Sequence, residues 1–239
     1  VMSLELLGEG FDLHCGGADL RFPHHENERA QAVALGKKFA RHWMHNGFVV
    51  DLEGEKMSKS LGNVTNLLDL LDQFDPRAYR MLLLQTHYRS PVKVGQDNID
   101  SSVKALAGLD SFAARSAGRN GPADADTIAR FVQIMDNDLD TPNAMAHIFD
   151  TVRRANTAID SGDTTAAALA AAVNEMCGAL GLQLGSTGEV AAEAQALASA
   201  LDAARSAKDF AKADALRAEL QGLGYVVETT KAGTSLRRS

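Results

Sequence analysis

A histidine and a glutamate stand one helical turn apart in the segment Pro23-His24-His25-Glu26-Asn27-Glu28. Pro23 suits the first turn of a helix, where a backbone N–H has no intrahelical partner. On that helix His24 and Glu28 share one face, and an imidazole nitrogen and a carboxylate oxygen so placed can bind one zinc ion. A plain capped helix start is the alternative, because the helix dipole favours glutamate there. Two ligands are too few for a structural zinc site.

Two lysines, Lys56 and Lys59, lie three residues apart in a polar segment between Gly54 and Gly62. Mobile ammonium groups in such a loop can close on a polyphosphate and stabilise the charge that develops on a leaving pyrophosphate. A lysine pair alone is also typical of an exposed charged turn. The complete string Lys56-Met57-Ser58-Lys59-Ser60 is a far more specific signal.

The sequence pattern around these residues predicts that the first part of the chain forms part of an α/β sheet. The apolar run Gly10–Cys15 predicts a short strand, which Gly16-Gly17 is expected to break. A helix is predicted over His24–Leu35 with Gly36 at its C-terminal end, and a second strand over Trp43–Val50.

The rest of the chain reads mainly as helix. A helix is predicted from Asp75-Pro76, and about four more between Gln96 and Leu184. The run Asp136–Pro142 has the composition of a calcium loop, but it lacks the glycine and terminal glutamate of an EF-hand, so a capped helix junction is predicted. The remaining predictions are a helix at Leu67–Phe74, helices at Glu189–Lys208 and Phe210–Gly222, a strand at Tyr225–Thr229 and a turn at Ala232-Gly233.

Composition narrows the class of protein without identifying it. The 239 residues are 45% hydrophobic, which excludes collagen-like and fully disordered chains. There is no apolar run long enough for a transmembrane helix, and the start does not resemble a signal peptide. With two cysteines, a reducing cytoplasm is expected. Residues 1–95, 96–199 and 200–239 carry net charges of −1, −8 and +2, so only the last segment is basic enough to favour nucleic acid.

Several strings resemble the cysteinyl-tRNA synthetases, a family of class I aminoacyl-tRNA synthetases. The lysine string is similar to the second signature loop of class I enzymes. The other strings follow the family order from about Leu7 to Arg238, nearly the whole chain: Phe11–Leu20, Phe22–Glu28, Trp43–His45, His87–Pro91 and Gly233–Arg238. Chance agreement over so many segments is negligible.

The resemblance implies a mixed fold in four parts. A partial α/β Rossmann-type catalytic segment is expected at 1–50, followed by the lysine loop and a stem-contact segment at 51–95. An all-α helical bundle at 96–187 and a small α+β anticodon-binding module at 188–239 complete the chain.

The resemblance also implies roles for individual residues. In the family, two Cys, one His and one Glu hold a zinc ion that binds the thiolate of cysteine and so rejects serine; His24 and Glu28 match the last two ligands. Lys59 matches an ATP-contacting catalytic lysine, and Lys56 assists it. The other implied residues are Gly16, Gly17 and Asp19, which face the adenosine of ATP. Arg89 is a candidate contact to a tRNA stem, with a polar cluster at a helix end as the alternative. Arg217, Arg237 and Arg238 are candidate tRNA contacts because they belong to the basic C-terminal segment.

Departures from the family limit what these residues are expected to do together. The His-Ile-Gly-His phosphate motif and the first zinc cysteine do not occur in the sequence, and the second zinc cysteine would fall about two residues before Val1. Cys15 replaces a family glycine and is not a ligand position. Leu236 stands where an aromatic residue is frequent. The chain is therefore expected to be the C-terminal half of such an enzyme, with little zinc binding and no adenylation on its own.

The expected reaction is the ATP- and Mg²⁺-dependent attachment of L-cysteine to tRNA(Cys) through cysteinyl-adenylate. The enzyme is expected to be cytoplasmic, without a membrane partner, and monomeric at full length. One alternative is a non-catalytic tRNA-binding module that relies on the basic C-terminal segment. Another is the mycothiol-pathway cysteine ligase, which is expected to lack the module at 189–239.

Overall fold

The structure is a computed structural model that describes residues 2–50, 54, 67, 74–185, 192–230 and 233–238. Most of these residues are helical, and the described strands form two-stranded sheets. The chain divides into two compact units, Val1–Gln183 and Leu184–Ser239. Within the described residues, no helix is both long enough and apolar enough to span a membrane.

The first unit begins with a strand–helix–strand segment and continues as a helical bundle. In chain order its elements are α1 (Met2–Leu7), β1 (Leu13–Gly17), a 3-10 helix (Ala18–Arg21), α2 (His24–Ala34), β2 (His42–Asn46), β3 (Val49–Val50), α3 (Pro76–Leu84), β4 (Val92–Lys93), α4 (Gln96–Ser116), α5 (Ala125–Asp136), α6 (Thr141–Ser161) and α7 (Ala166–Ala179). The second unit contains α8 (Ala192–Ser206), α9 (Phe210–Gly222), β5 (Tyr225–Thr230) and β6 (Gly233–Arg238).

Strands β1 and β2 are parallel neighbours joined through α2, as the α/β prediction requires. The predicted break at Gly16-Gly17 is wrong, because both glycines belong to β1 and lie opposite His45 and Asn46. A glycine in a strand marks a place where another group approaches closely. A Cβ on Gly16 would lie 2.6 Å from Cε1 of His25.

The prediction of a helix over His24–Leu35 is confirmed, since α2 begins at His24 and Gly36 follows its end with φ +69°.

The predicted strand Trp43–Val50 is in fact two strands in different sheets. The break falls at Gly47, whose N–H donates to the carbonyl of Tyr88 at 2.7 Å. A Cβ on Gly47 would lie 2.2 Å from the backbone oxygen of Ser90, so only glycine permits this approach. Strand β3 then pairs in parallel with β4.

The bundle is built from α4 to α7, the four helices predicted between Gln96 and Leu184. Its buried side chains include Leu109, Phe112, Ile148, Val173 and Met176. Each such side chain contributes about 1.5–3 kcal/mol when it leaves water. The predicted junction at Asp136–Pro142 is confirmed: α5 ends at Asp136, and the carboxylate of Asp140 accepts from the N–H of Asn143 at the start of α6.

In the second unit, α8 and α9 pack on the antiparallel hairpin of β5 and β6. Leu201, Leu220 and Tyr225 are the largest buried side chains of the core between them. The sequence prediction included β5 but missed β6. Asp202 on α8 holds the start of β6, because its carboxylate accepts from the N–H of Thr234 at 3.0 Å and from its hydroxyl at 2.6 Å.

Candidate functional site

Glu28 lies at the centre of a group of histidines where α2 faces β1. Its Oε2 is 2.9 Å from Nε2 of His14 on β1 and 3.8 Å from Nε2 of His24 one turn earlier on α2. The side chain of His24 is 61% exposed, whereas that of Glu28 is 29% exposed. The two predicted ligands therefore share one face, and the outer one is open to solvent.

His25 points into the protein and supports the strand. It is buried, and its Nδ1 lies 2.9 Å from Nε2 of His45 on β2. Burial lowers the pKa of His25, and the rings of His14 and His45 lower it further. The imidazole is therefore neutral at pH 7, and its Cε1–Nε2 edge fills the space that the missing side chain of Gly16 leaves.

Aromatic rings fix the orientation of His14. Its ring makes edge contacts with Phe11, Phe39 and Trp43, with ring centroids 5.9, 5.2 and 5.0 Å away. A ring that is packed on three sides and hydrogen-bonded to a carboxylate has little rotational freedom. His14 therefore holds Glu28 in one position.

The donor set suits a zinc ion. Adjacent ligand atoms of a tetrahedral zinc site are about 3.4 Å apart, given zinc–ligand distances of about 2.1 Å. The 3.8 Å between His24 and Glu28 is close to this value. A second group, His14, His25 and Glu28, has ligand atoms within 4.8 Å of one another. In that group, however, His25 is buried with its Nε2 edge against Gly16, and His14 is placed as the hydrogen-bonding partner that orients a ligating carboxylate.

The contact of His14 with Glu28 was not predicted from the sequence, although His14 lies in one of the strings that carry the family resemblance. His14 and Glu28 are 14 positions apart. The contact depends on how α2 packs against β1, which neither spacing nor periodicity encodes.

The residues expected to face ATP lie at the carboxyl end of β1. In open α/β sheets, ligands bind beyond the carboxyl ends of parallel strands. Gly17 ends β1, and a Cβ on it would lie 2.6 Å from Oδ1 of Asp19 in the 3-10 helix. Gly16 is one residue earlier, against His25. Lys56 and Lys59, the lysines expected to be catalytic, lie outside the described residues.

The residues expected to contact tRNA fall in different surroundings. Arg89 is paired with Asp138, at 2.7 Å from Nε to Oδ2 and 2.8 Å from Nη2 to Oδ1. Arg217 on α9 is partly buried and donates from Nη2 to the Thr229 hydroxyl at 2.7 Å. Arg237 and Arg238 belong to β6, and their side chains are not among those described.

Three family matches cover most of the chain in order. Residues 1–104 match the class I (C) tRNA synthetase catalytic domain, residues 130–185 the DALR domain, and residues 187–237 the cysteinyl-tRNA ligase anticodon binding domain.

Two solved structures share the fold. The agnB2 LeuRS of Agrobacterium radiobacter K84, in a ternary complex with tRNA and LeuAMS, is 18% identical and superposes with a TM-score of 0.60 over 72% of this chain and 26% of its own. Methionyl-tRNA synthetase of Mycobacterium tuberculosis, in complex with methionyl-adenylate, is 21% identical with a TM-score of 0.50, over 72% of this chain and 40% of its own. The domain matches and the shared fold define a class I aminoacyl-tRNA synthetase.

Sequence relatives specify the family more closely. The cysteine–tRNA ligase of Pseudomonas paraeruginosa strain PA7 is 42% identical over 251 residues, and that of Stutzerimonas stutzeri strain A1501 is 41% identical over 249 residues. Each alignment covers 99% of this chain and 54% of the relative. The chain belongs to the cysteinyl-tRNA synthetase family, which confirms the resemblance seen in the sequence, and it spans about half the length of these curated relatives.

Proposed function

We propose that the chain is part of a cysteine–tRNA ligase, which forms cysteinyl-adenylate from ATP and cysteine and then transfers the cysteinyl group to the 3′ end of tRNA(Cys). The observation that carries this proposal is the placement of His24 and Glu28 on one face of α2, beside the carboxyl end of β1, in a chain that aligns over 99% of its length with cysteine–tRNA ligases.

Selection of cysteine is assigned to His24 and Glu28, which would hold a zinc ion. When bound, that ion supplies a Lewis acid that accepts a cysteine thiolate, whereas the hydroxyl of serine is too weakly ionised to compete. Among the residues of this chain, His14 donates to Glu28 and fixes its carboxylate. His25 stays neutral and buried, and it supports Gly16 on the strand that leads to the nucleotide.

Nucleotide binding is assigned to the end of β1 and to the lysine string. The carboxylate of Asp19 is proposed to accept a hydrogen bond from a ribose hydroxyl, and the absence of a side chain at Gly17 is proposed to permit close approach of the nucleotide. Lys56 and Lys59 are proposed to neutralise the pyrophosphate as it leaves, together with the Mg²⁺ that accompanies ATP. Both lysines are assigned from the sequence string alone.

The match of residues 187–237 to an anticodon binding domain favours a tRNA ligase over the mycothiol-pathway ligase, for which no such module is expected. The same match supports tRNA(Cys) as the partner and leaves a non-catalytic tRNA-binding module as the second candidate.

Cytoplasmic action is proposed because both cysteines, Cys15 and Cys177, are free thiols, as in a reducing compartment. A monomer is expected for the full-length enzyme.

Charging of tRNA(Cys) with labelled cysteine tests the proposal. The complete natural gene product that contains these 239 residues should charge tRNA(Cys), and it should leave tRNA(Ser) uncharged. The isolated 239 residues should not charge it, although they should bind it. Binding of tRNA(Cys) without charging by the complete gene product would instead establish the non-catalytic module.

A further inference from the structure

Three consecutive side chains converge on one aspartate of the bundle. Arg89 donates to both carboxylate oxygens of Asp138, and the Tyr88 hydroxyl donates to Oδ1 at 2.7 Å. Nε2 of His87 lies 3.1 Å from the backbone oxygen of the same residue. The hydrogen bonds from Arg89 and Tyr88 hold the pKa of Asp138 far below its usual range, so the carboxylate is charged throughout the physiological range.

The backbone around Asp138 is held in an unfavourable conformation. Asp138 and Leu139 have φ of +59° and +55°, in the left-handed region that residues with a Cβ seldom adopt. Such conformations persist only where surrounding structure imposes them, and they concentrate at functional positions. Asp138 follows the last residues of α5, where a left-handed residue commonly ends a helix, and the N–H of Leu139 donates to the carbonyl of Met135 at 3.0 Å. This turn presents the Asp138 carboxylate to the His87–Arg89 segment.

The result of these contacts is an ordered stack on the surface. The rings of His87 and Tyr88 are stacked with centroids 4.9 Å apart, and the guanidinium carbon of Arg89 lies 5.0 Å from the centroid of the Tyr88 ring. The Arg89 side chain is nevertheless 58% exposed. Asp138 occupies its Nε and Nη2, which leaves the Nη1 edge outside the pair.

The backbone of the stack formed by His87, Tyr88 and Arg89 is also held by contacts with Gly47. The carbonyl of Tyr88 accepts from the N–H of Gly47, and the backbone of Ser90 fills the space where a side chain at Gly47 would stand. The His87–Ser90 segment is thus held between the strand segment and the bundle, with Arg89 facing outward.

We propose that Asp138 is a positioning residue for tRNA binding: it fixes Arg89 and the Tyr88 ring so that the free guanidinium edge meets an RNA phosphate. The exposed N–H groups of a guanidinium bind phosphate oxygens, and surfaces that bind nucleic acid often place such groups beside aromatic rings. The proposal rests on the proposed function, because it takes tRNA as the ligand. The proposal places an acidic residue on the tRNA-binding surface, although the charge of its carboxylate by itself repels RNA phosphates.

Binding of tRNA by the isolated chain, without ATP or cysteine, separates a positioning role from simple charge. Removal of a carboxylate near RNA should tighten binding if only net charge matters. Asp138→Asn should instead weaken binding roughly 2- to 10-fold, because Arg89 must then be ordered at the moment of binding. Asp136→Asn is the matched control: it removes the same charge from an exposed position two residues away, and it should bind as tightly as the unaltered chain or tighter.

A double-mutant cycle checks that Asp138 acts through Arg89. Arg89→Ala should weaken binding and reduce the salt dependence of log K by about one counterion. Asp138→Asn should add nothing further in the Arg89→Ala background. Helical circular dichroism at the assay temperature must match in all variants.

Tighter or unchanged binding by Asp138→Asn, or additive effects in the cycle, would overturn the proposal. Absence of tRNA binding by the unaltered chain would overturn it too. Failure of the complete gene product to charge tRNA(Cys) would instead count against the proposed function. The effect of Asp138→Asn on tRNA binding would still decide whether Asp138 positions Arg89.

Discussion

Nε2 of His14 and Oε2 of Glu28 lie 2.9 Å apart, which ties strand β1 to helix α2 at the candidate zinc site. His14 also packs against three aromatic rings, so its position is fixed independently of Glu28. A carboxylate held in this way is ready to bind a metal ion before the ion arrives.

Replacement of His14 by alanine should therefore weaken zinc binding. Loss of a hydrogen-bonding partner of a metal ligand typically costs about 10–100-fold in metal affinity. The measurement is competition with a chromophoric zinc chelator, made on the complete gene product. His42→Ala is the control, because His42 is exposed and its Nδ1 lies 3.1 Å from the backbone oxygen of Asp12. Equal zinc affinity in the two variants would show that His14 does not orient Glu28.

Gly16→Ala should destabilise the chain, because the new Cβ would lie 2.6 Å and 2.9 Å from atoms of the buried His25 ring. Such overpacking typically costs about 1–3 kcal/mol of unfolding free energy. Gly108→Ala in α4 has the opposite expectation: nothing lies within 4 Å of its Cβ position, so a gain of up to about 1 kcal/mol is expected from helix propensity. Urea denaturation measures both changes. A neutral Gly16→Ala would mean that the ring of His25 moves aside at no cost.

The pair Arg77–Asp110 joins the start of α3 to α4 inside the first unit, with Nη1 and Oδ1 2.9 Å apart. Burial opposes the charge of Arg77, but hydrogen bonds from it to Asp75 and Asp110 raise its pKa. Asp110→Ala should cost about 1.5–3 kcal/mol, because the guanidinium keeps its pair with Asp75 but loses two charge-assisted hydrogen bonds at a largely buried site.

The exposed pair Arg153–Asp150 provides the control for that prediction, because its side chains are 71% and 53% exposed. Asp150→Ala should change the free energy of unfolding by no more than about 0.5 kcal/mol. Losses of similar size in Asp110→Ala and Asp150→Ala would contradict the distinction between them.

The two thiols should differ sharply in reactivity. Burial raises the pKa of Cys177 to about 12, whereas Cys15 is exposed. A disulfide reagent at pH 8 should modify one thiol of the native chain, and Cys15→Ala should abolish that reaction until the chain is unfolded. Since the folded-state pKa of Cys177 exceeds its unfolded value, its contribution to stability is complete below about pH 9 and is lost as pH rises toward 12. Fast modification of Cys177 in Cys15→Ala would contradict its burial.

Local signals in the sequence were sufficient for most of the described helices, although α1 was not predicted, and for the shared face of His24 and Glu28. The predicted helix Leu67–Phe74 lies almost entirely outside the described residues. Pro23 and Gly36 bracket α2 as predicted, and a one-turn spacing puts His24 and Glu28 on one face. Asp75 and Pro76 likewise mark the start of α3.

Features that depend on distant contacts could not be predicted in this way. Gly16 and Gly17 suggested a break in the strand. The buried ring of His25, which requires a glycine at position 16, belongs to another element and is not visible in the local sequence. The polar sequence of β6 has no strand pattern, and Asp202, 32 positions before Thr234, holds it in place. The hydrogen bonds of His14 and Asp138 are of the same kind.

Cysteine-dependent exchange of pyrophosphate into ATP, measured on the complete gene product, tests the central claim most directly. Exchange should require cysteine, should not be supported by serine at the same concentration, and should be lost or severely reduced in His24→Ala. Exchange that serine supports equally well, or that His24→Ala leaves intact, would contradict the assignment of His24 and Glu28 to cysteine selection.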